Sequence, residues 1–349
     1  GLNFNSDVYK ENISNVSYFL SPDDSSTEPT VQGIDNDRSE KSIGAFFEYN
    51  FDNLSNLNLT AGIRVDNHNK MGTFLTPRFH LRYTPVEKSV LRLSFGRGKR
   101  MANIFAENQN LFATTRLIQL PVDDLKSEDA WNYGISFLQN FNLFNKKSEI
   151  ILDYYYTDFN NQVIVDWENP YEISFYNLIG KSFAASFQSQ FNYYINENVE
   201  LKLAYKLYNV KTDYASGRLT KPMTPKERLF INFNINSNLN DDGSQWKFDT
   251  TFNWIGKQRF SNRLTNNPHF LPVNIDKYSP QFSTVNAQLT RVFSEKFEVY
   301  LGAENLTNTK QKNPIVGSES PFGQGFDTTF VYGPIFGSMY YTGLRFKIY

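Results

Sequence analysis

Residues 182–195 read SFAASFQSQFNYYI, with Phe183, Ala185, Phe187, Phe191 and Tyr193 on one parity and Ala184, Ser186, Gln188, Gln190 and Asn192 on the other. Successive side chains of a strand point to opposite faces, so this stretch is a strand with one apolar and one polar face. The period of two recurs along the whole chain. Leu59, Ala61, Ile63 and Val65 alternate with Thr60, Gly62, Arg64 and Asp66. Leu91, Leu93 and Phe95 flank Arg92 and Ser94, and Leu201, Leu203 and Tyr205 flank Lys202 and Ala204. Phe248, Phe252 and Trp254 oppose Asp249, Thr251 and Asn253. The pattern predicts about fourteen strands and no amphipathic helix. Many run to about 10–14 residues, longer than the usual 5–6 and enough for the roughly 9–11 of a tilted membrane-crossing strand. Arg64, Arg78, Arg92, Lys202 and Asp249 lie on the polar parity. Full charges there must meet water rather than a packed interior, so these five are expected to face an aqueous lumen.

The connections alternate in length. Short, turn-rich stretches fall at 52–56, 84–88, 144–147, 196–198, 240–244 and 294–296. Long polar excursions separate them at 11–38, 97–130, 160–177, 211–226, 257–280 and 307–336, with 68–72 as the short exception and 97–130 taken as the longest loop. Asn, Asp, Pro, Ser and Lys in the short stretches suit tight turns. Short turns at one end and long loops at the other are the layout of an outer-membrane barrel. Phe51, Tyr83, Tyr193, Trp246, Phe293 and Phe297 sit beside the short turns on the apolar parity, where they would form an interfacial girdle. The competing expectation is a soluble sandwich with these aromatics plugging one end. The topology predicted is sequential antiparallel pairing, with the six short turns and both chain ends on the periplasmic side.

Composition excludes several classes. The 349 residues carry a net charge of −1, so nothing favours nucleic acid. Without cysteine there is neither a disulfide framework nor a thiolate metal site. Aromatic residues make up 16% of the chain, yet mean hydropathy is −0.50 and no run approaches the roughly 18 apolar residues of a membrane helix.

The segments FGRGKRMANIFAENQNLFATTR (95–116), YLGAENLTNTKQ (300–311) and the closing YTGLRFKIY, with TPRFHLRYTP and YYYTDFNNQVIVD, resemble the C-terminal barrel of TonB-dependent outer-membrane receptors, especially those of the Bacteroidetes type. The resemblance covers essentially the whole chain. It implies an all-β, antiparallel up-and-down transmembrane barrel portion in the outer membrane of a Gram-negative bacterium. It further implies active import of a bulky, scarce nutrient: a ferric siderophore, cobalamin, haem, another metal chelate or an oligosaccharide. The implied partners are the bilayer, lipopolysaccharide, the small-molecule or oligosaccharide ligand, and the energy-coupling TonB protein acting through an N-terminal region. Leu344, Phe346 and Ile348 share the apolar phase, so Tyr349 stands one residue past the aromatic end that the family shows. Neither a plug, an energy-coupling segment nor about eight of the family's roughly 22 strands is evident. Residues 1–349 are therefore expected to be the C-terminal part of a receptor, with the outer edge of the last strand unpaired. A complete smaller barrel acting as a passive porin, or an adhesion barrel, would be the alternatives.

No catalytic constellation stands out, so no enzymatic chemistry, cofactor or metal is assigned. Gly96-x-Gly98 follows a strand but lacks the helix and downstream acid of a dinucleotide fingerprint. Those glycines are expected to let the chain bend inward at the rim. His68, His80 and His269 show no ligand spacing, and NDDGSQ is too short for a calcium loop. Asp123 and Asp124 suit a solvated loop, and the sequons at Asn12, Asn15, Asn53, Asn58 and Asn305 carry little weight. The densest basic group is Arg97, Lys99, Arg100 and Arg116, interleaved with Phe105, Phe112 and Glu107. It is expected to contact a ligand or the plug, the alternative being outward contact with lipopolysaccharide phosphates.

Overall fold

The computed structural model describes residues 2–19, 30–53, 56–119, 125–261, 277–321 and 326–348. In chain order the strands are β1 (Leu2–Phe19), β2 (Thr30–Asn53), β3 (Leu57–His68), β4 (Gly72–Tyr83), β5 (Ser89–Arg100) and β6 (Leu117–Gln119). They continue as β7 (Glu128–Leu143), β8 (Lys146–Asn161), β9 (Val163–Asp166), β10 (Glu172–Asn177), β11 (Ser182–Asn196) and β12 (Val199–Tyr214). The last are β13 (Gly217–Thr220), β14 (Glu227–Asn236), β15 (Gln245–Ile255), β16 (Phe282–Ser294), β17 (Phe297–Glu304) and β18 (Met339–Phe346). A four-residue helix, α1 (Ile104–Glu107), and a 3-10 turn, Gln109–Phe112, lie between β5 and β6.

One sheet forms the wall, in the order β1-β2-β3-β4-β5-β7-β8-β11-β12-β14-β15-β16-β17-β18, with β13 added beside β12. Its pairings are all antiparallel between neighbours along the chain, as the alternating connections predict. Asn145, at φ 62, with Phe144 at φ 51 makes a two-residue turn of the kind that matches strand twist, and it sets the register Leu143↔Lys146. The short turns lie at one end, where the Lys347 N–H donates to Lys296 O at 2.9 Å. Among the described residues β1 pairs only with β2 and β18 only with β17, so the two sheet edges do not meet.

Register joins like to like. Phe187 stands opposite Leu207, Leu203 opposite Ile231, and Phe248 opposite Leu289. On the other face Asp249 stands opposite Asn234 and Gln288, and Lys202 opposite Asn192 and Asn232. Among the described residues no second layer covers the apolar face: Leu344 is 68% exposed, Ile43 60% and Leu301 60%. Such a band is untenable in water and natural against lipid. The buried hydrophobic residues instead gather at the long-loop end, with Phe105, Leu111, Ile118, Trp167, Ile173 and Phe175 as one cluster. A soluble sandwich would need its core under the sheet, and among the described residues none is there.

Four expectations about the loops are corrected. The 11–38 excursion is largely hairpin: β1 and β2 pair out to Phe19↔Thr30. Above the membrane both faces meet water, so polarity does not mark where the ladder stops. The 97–130 loop is also shorter, because β5 continues to Arg100 and β7 starts at Glu128, with Arg100↔Glu128 in register. Gly96 and Gly98 stay within that ladder and neither has a left-handed φ, so no bend forms there. The connection 305–338 between β17 and β18 is longer than 101–127 and takes the place of the longest. The 69–71 turn is as short as expected. His269, Asp123, Asp124 and Tyr349 lie outside the described residues.

Candidate functional site

The long connections build a platform with its own packed interior. Residues 160–177 and 97–130, read as polar loops, carry the three-stranded sheet β6-β10-β9. Phe105 stacks on Phe112 at 4.9 Å, and Phe112 lies 6.1 Å from Phe175, joining α1 to β10. No helical or two-residue period marks these residues, which is why the sequence conceals their burial.

Two buried ion pairs cross the platform. Arg116 and Asp327 meet at 2.8 Å with both side chains 0% exposed. Arg116 also donates to Trp167 O and Thr329 Oγ1, both at 3.0 Å, and its guanidinium lies 5.7 Å from the Trp167 ring. Burial pulls its pKa down to about 9, against the opposing pull of the Glu168 carboxylate, so it stays charged at neutral pH. The second pair is Arg259 with Glu168, and Arg259 Nε donates to Thr220 O at 2.7 Å. Gln258 Nε2 to Tyr332 O, at 2.9 Å, adds a direct link between the connections after β15 and β17. In the same platform, burial and the Asp166 carboxylate push the Tyr176 phenol pKa up. Asp327, Glu168, Arg259 and Trp167 had no sequence signal. Each finds its partner through a long connection.

The proposed basic group is thus divided by the fold. Arg116 is a buried pin of the platform, and Phe105 belongs to its core. Arg100 makes a fork on Glu107, at 2.7 and 2.8 Å, and reaches Glu128 at 2.7 Å. That fork holds the Glu107 carboxyl below its usual range, aided by the Asn103 N–H. Arg97 shares the parity of Leu91, Leu93 and Phe95 on the apolar face. There it pairs with Asp129 and lies 5.9 Å over Trp131, which itself stacks on Phe95 at 4.8 Å. Lys99 lies 5.2 Å over Phe74. Every member of the group has an intramolecular partner, and the fold divides them between the platform core, the Arg100–Glu107 fork and the apolar parity of β5.

The polar face offers a second concavity. A recess of about 860 Å³ lies along β3, β4, β5, β7 and β8, lined on the polar parity by Arg78, Arg82, Arg92 and His80 and, among the described residues, by no carboxylate. Arg78 is paired with Glu48, and Arg64 with Asp66 at 2.6 Å. Asp249 accepts from Asn234. Gly134 makes room for its neighbours, since a Cβ there would collide with Ser94 Oγ and the Tyr155 ring. Among the described residues no group of three or more His, Asp or Glu is placed to hold a metal ion.

Comparison with known proteins gives one family: the model for a TonB dependent receptor-like beta-barrel matches residues 1–306. Solved structures of similar fold include a mutant ferric enterobactin receptor of Pseudomonas aeruginosa in complex with enterobactin, at 14% identity and TM-score 0.65, covering 99% of this chain and 51% of that one. A copper transporter, OprC, gives 14% and 0.66, covering 99% and 53%. The siderophore receptor PirA of Acinetobacter baumannii gives 13% and 0.60, covering 99% and 55%. The chain spans about half the length of these receptors. No curated protein matches.

Proposed function

Because this chain belongs to the TonB-dependent receptor β-barrel family, whose members are outer-membrane proteins of Gram-negative bacteria, we propose that it forms the C-terminal wall of an importer for a bulky metal chelate. The observation that carries the reading is the family match on a sheet whose long connections knit into a packed platform at one mouth. A platform with a core presents a shaped surface to an incoming solute, whereas loops without one would have to be ordered at each binding event. The apolar face meets lipid, lipopolysaccharide borders the Arg97–Trp131 level, and the polar face borders the passage. Arg100 with Glu107 contributes to the surface that ligand or plug meets, while Lys99 shares the outward parity of Arg97. The TonB protein, acting through an N-terminal plug, supplies the energy. A ferric siderophore or a copper chelate suits this reading best, and an oligosaccharide less well, since the recess is lined by cations.

The test is uptake by cells with and without the intact receptor, supplied with ferric chelates, copper and oligosaccharides at limiting concentration. Accumulation of a chelate that stops when the proton-motive force is collapsed supports the proposal. Uptake that persists without that force identifies a passive channel. A receptor-bearing strain that takes up nothing, yet binds host protein, identifies an adhesion barrel.

A further inference from the structure

The ladder of the wall breaks off at one place away from the sheet edges. β4 pairs with β3 over its whole length, Gly72 to Tyr83, and β5 pairs with β7 from Ser89 to Arg100. Between themselves, β4 and β5 pair only from Tyr83↔Leu91 up to Arg78↔Gly96. Above that rung, 72–77 and 97–100 run on with no backbone pairing to each other. Pro77, where the next rung would form, has no N–H to give. Side chains bridge the gap instead. Arg97, seated on Asp129 and Trp131 of β7, donates from Nη1 to Leu75 O of β4 at 3.5 Å. Lys99 lies 5.2 Å over Phe74, which has the opposite parity, so the two meet within the gap. Higher up, Arg38 of β2 donates to Ala102 O at 3.0 Å and Met101 O at 3.4 Å. Asn103 Nδ2 donates to Tyr9 OH at 3.3 Å. Among the described residues no backbone–backbone hydrogen bond joins 2–77 to 97–119.

We infer that this gap is a hinge in the mouth of the barrel, latched by Arg38 and Arg97. Below the Arg78↔Gly96 rung the wall is one sheet. Above it two bodies meet: the upper ends of β1–β4, and the loop platform that β5 carries through α1. Parting them breaks the side-chain contacts of Arg38, Arg97, Lys99 and Asn103 and no rung of any ladder. Segments held by side chains rather than by a cooperative ladder open at lower free energy, and hinges sit where elements end. The platform moves whole, because Arg116–Asp327 and Arg259–Glu168 lie inside it. Each latch is fixed to its own body by an acid, Arg38 by Glu40 and Arg97 by Asp129, and turns its other N–H groups to carbonyls of the opposite body. The gap lies in the plane of the wall between two consecutive strands, each paired along its other side, so a plug packed against the polar face leaves it in place. Widening the mouth here admits a bulky solute past a platform too well packed to yield loop by loop. That purpose rests on the importer reading; the hinge itself does not.

The chain has no cysteine, so labels can be placed singly. Spin labels at Ser39→Cys in β2 and Ala106→Cys in α1, both exposed, report the distance between the two bodies by pulsed electron resonance. The sample is the purified, full-length protein in nanodiscs, with folding of each variant checked by the mobility of the unheated barrel in gel electrophoresis. The native background should give one narrow distribution, and Arg38→Gln with Arg97→Gln should add a second, longer population. Arg345→Gln, which removes a pair with Glu298 on β17, should leave the distribution narrow. An unchanged distribution in the double variant overturns the hinge. Both distances in the native protein, or equal broadening with Arg345→Gln, overturns the latches. A second measurement staples the gap with Thr76→Cys and Gly98→Cys, which continue the β4–β5 register; a Cβ at Gly98 meets nothing within 4 Å. Oxidation should slow ferric-chelate uptake severalfold and reduction should restore it, while Leu81→Cys with Leu93→Cys, across an existing rung, should have no effect. Uptake indifferent to the staple overturns the role in solute entry. Absence of uptake in the unstapled protein overturns the importer reading instead, and the distances still decide the hinge.

Discussion

Replacing Asp327 with Asn removes one charge from the interior of the loop platform and leaves its size unchanged. Asp327 Oδ2 accepts from Arg116 Nε at 3.1 Å and Nη2 at 2.8 Å, while Oδ1 accepts from the Thr329 N–H at 2.8 Å. In the variant, one amide oxygen serves either Thr329 or Arg116, and the amide NH₂ takes the other place. Arg116 then keeps a fully buried positive charge without its counter-ion. Breaking a buried pair on one side costs about 3–5 kcal/mol. At about 1.36 kcal/mol per factor of ten, platform opening should rise by roughly 10²- to 5 × 10³-fold. The assay is hydrogen exchange on the folded protein. The Leu117, Asp327 and Thr328 amides, which bond Tyr171 O, Val316 O and Ala113 O, should lose protection. Amides in the middle of β12 should not, because the wall ladder is separate from the platform. Arg116→Met with Asp327→Leu removes both charges and should recover most of the protection, since apolar replacement of a buried pair is often neutral. Exchange in Asp327→Asn within a few-fold of the native rate would refute the pin. So would a double variant as open as the single one.

Ile173 is 0% exposed inside the platform, so Ile173→Ala should cost about 2–5 kcal/mol locally and red-shift the emission of nearby Trp167. On the wall, Ile231→Arg at the centre of β14 should cost about 2–4 kcal/mol in refolding into vesicles. Asn234→Arg, on the other face between Glu200 and Asp249, should be close to neutral; comparable losses would argue for two buried faces. Glu107 has a folded pKa below its unfolded value, so its contribution to the α1 seam is complete above the unfolded pKa and fades as pH falls through the folded one. Proteolysis near 101–108 should therefore accelerate only in acid below the ordinary carboxylate range, and Glu107→Gln should remove that pH dependence.

Alternation by itself determined the wall. A period of two with full charges on one parity allows a single assignment of faces, since a slip of one residue would send Lys202 and Asp249 into lipid. Hairpin symmetry reaches further: pairing 83 with 91 across the 84–88 turn already places Arg82 against Arg92. Strand ends above the membrane were not legible. With water on both sides of the ladder, Asn12 opposite Asp37 is as acceptable as any pair, so polarity carries no boundary. The platform was decided by tertiary structure alone. Arg116 and Asp327 are 211 residues apart and come together only because β5 and β17 deliver their loops to the same mouth. Local sequence holds a preference for strand or turn within a few residues. Which buried charge meets which is set by where the wall delivers each loop, and that depends on every register before it.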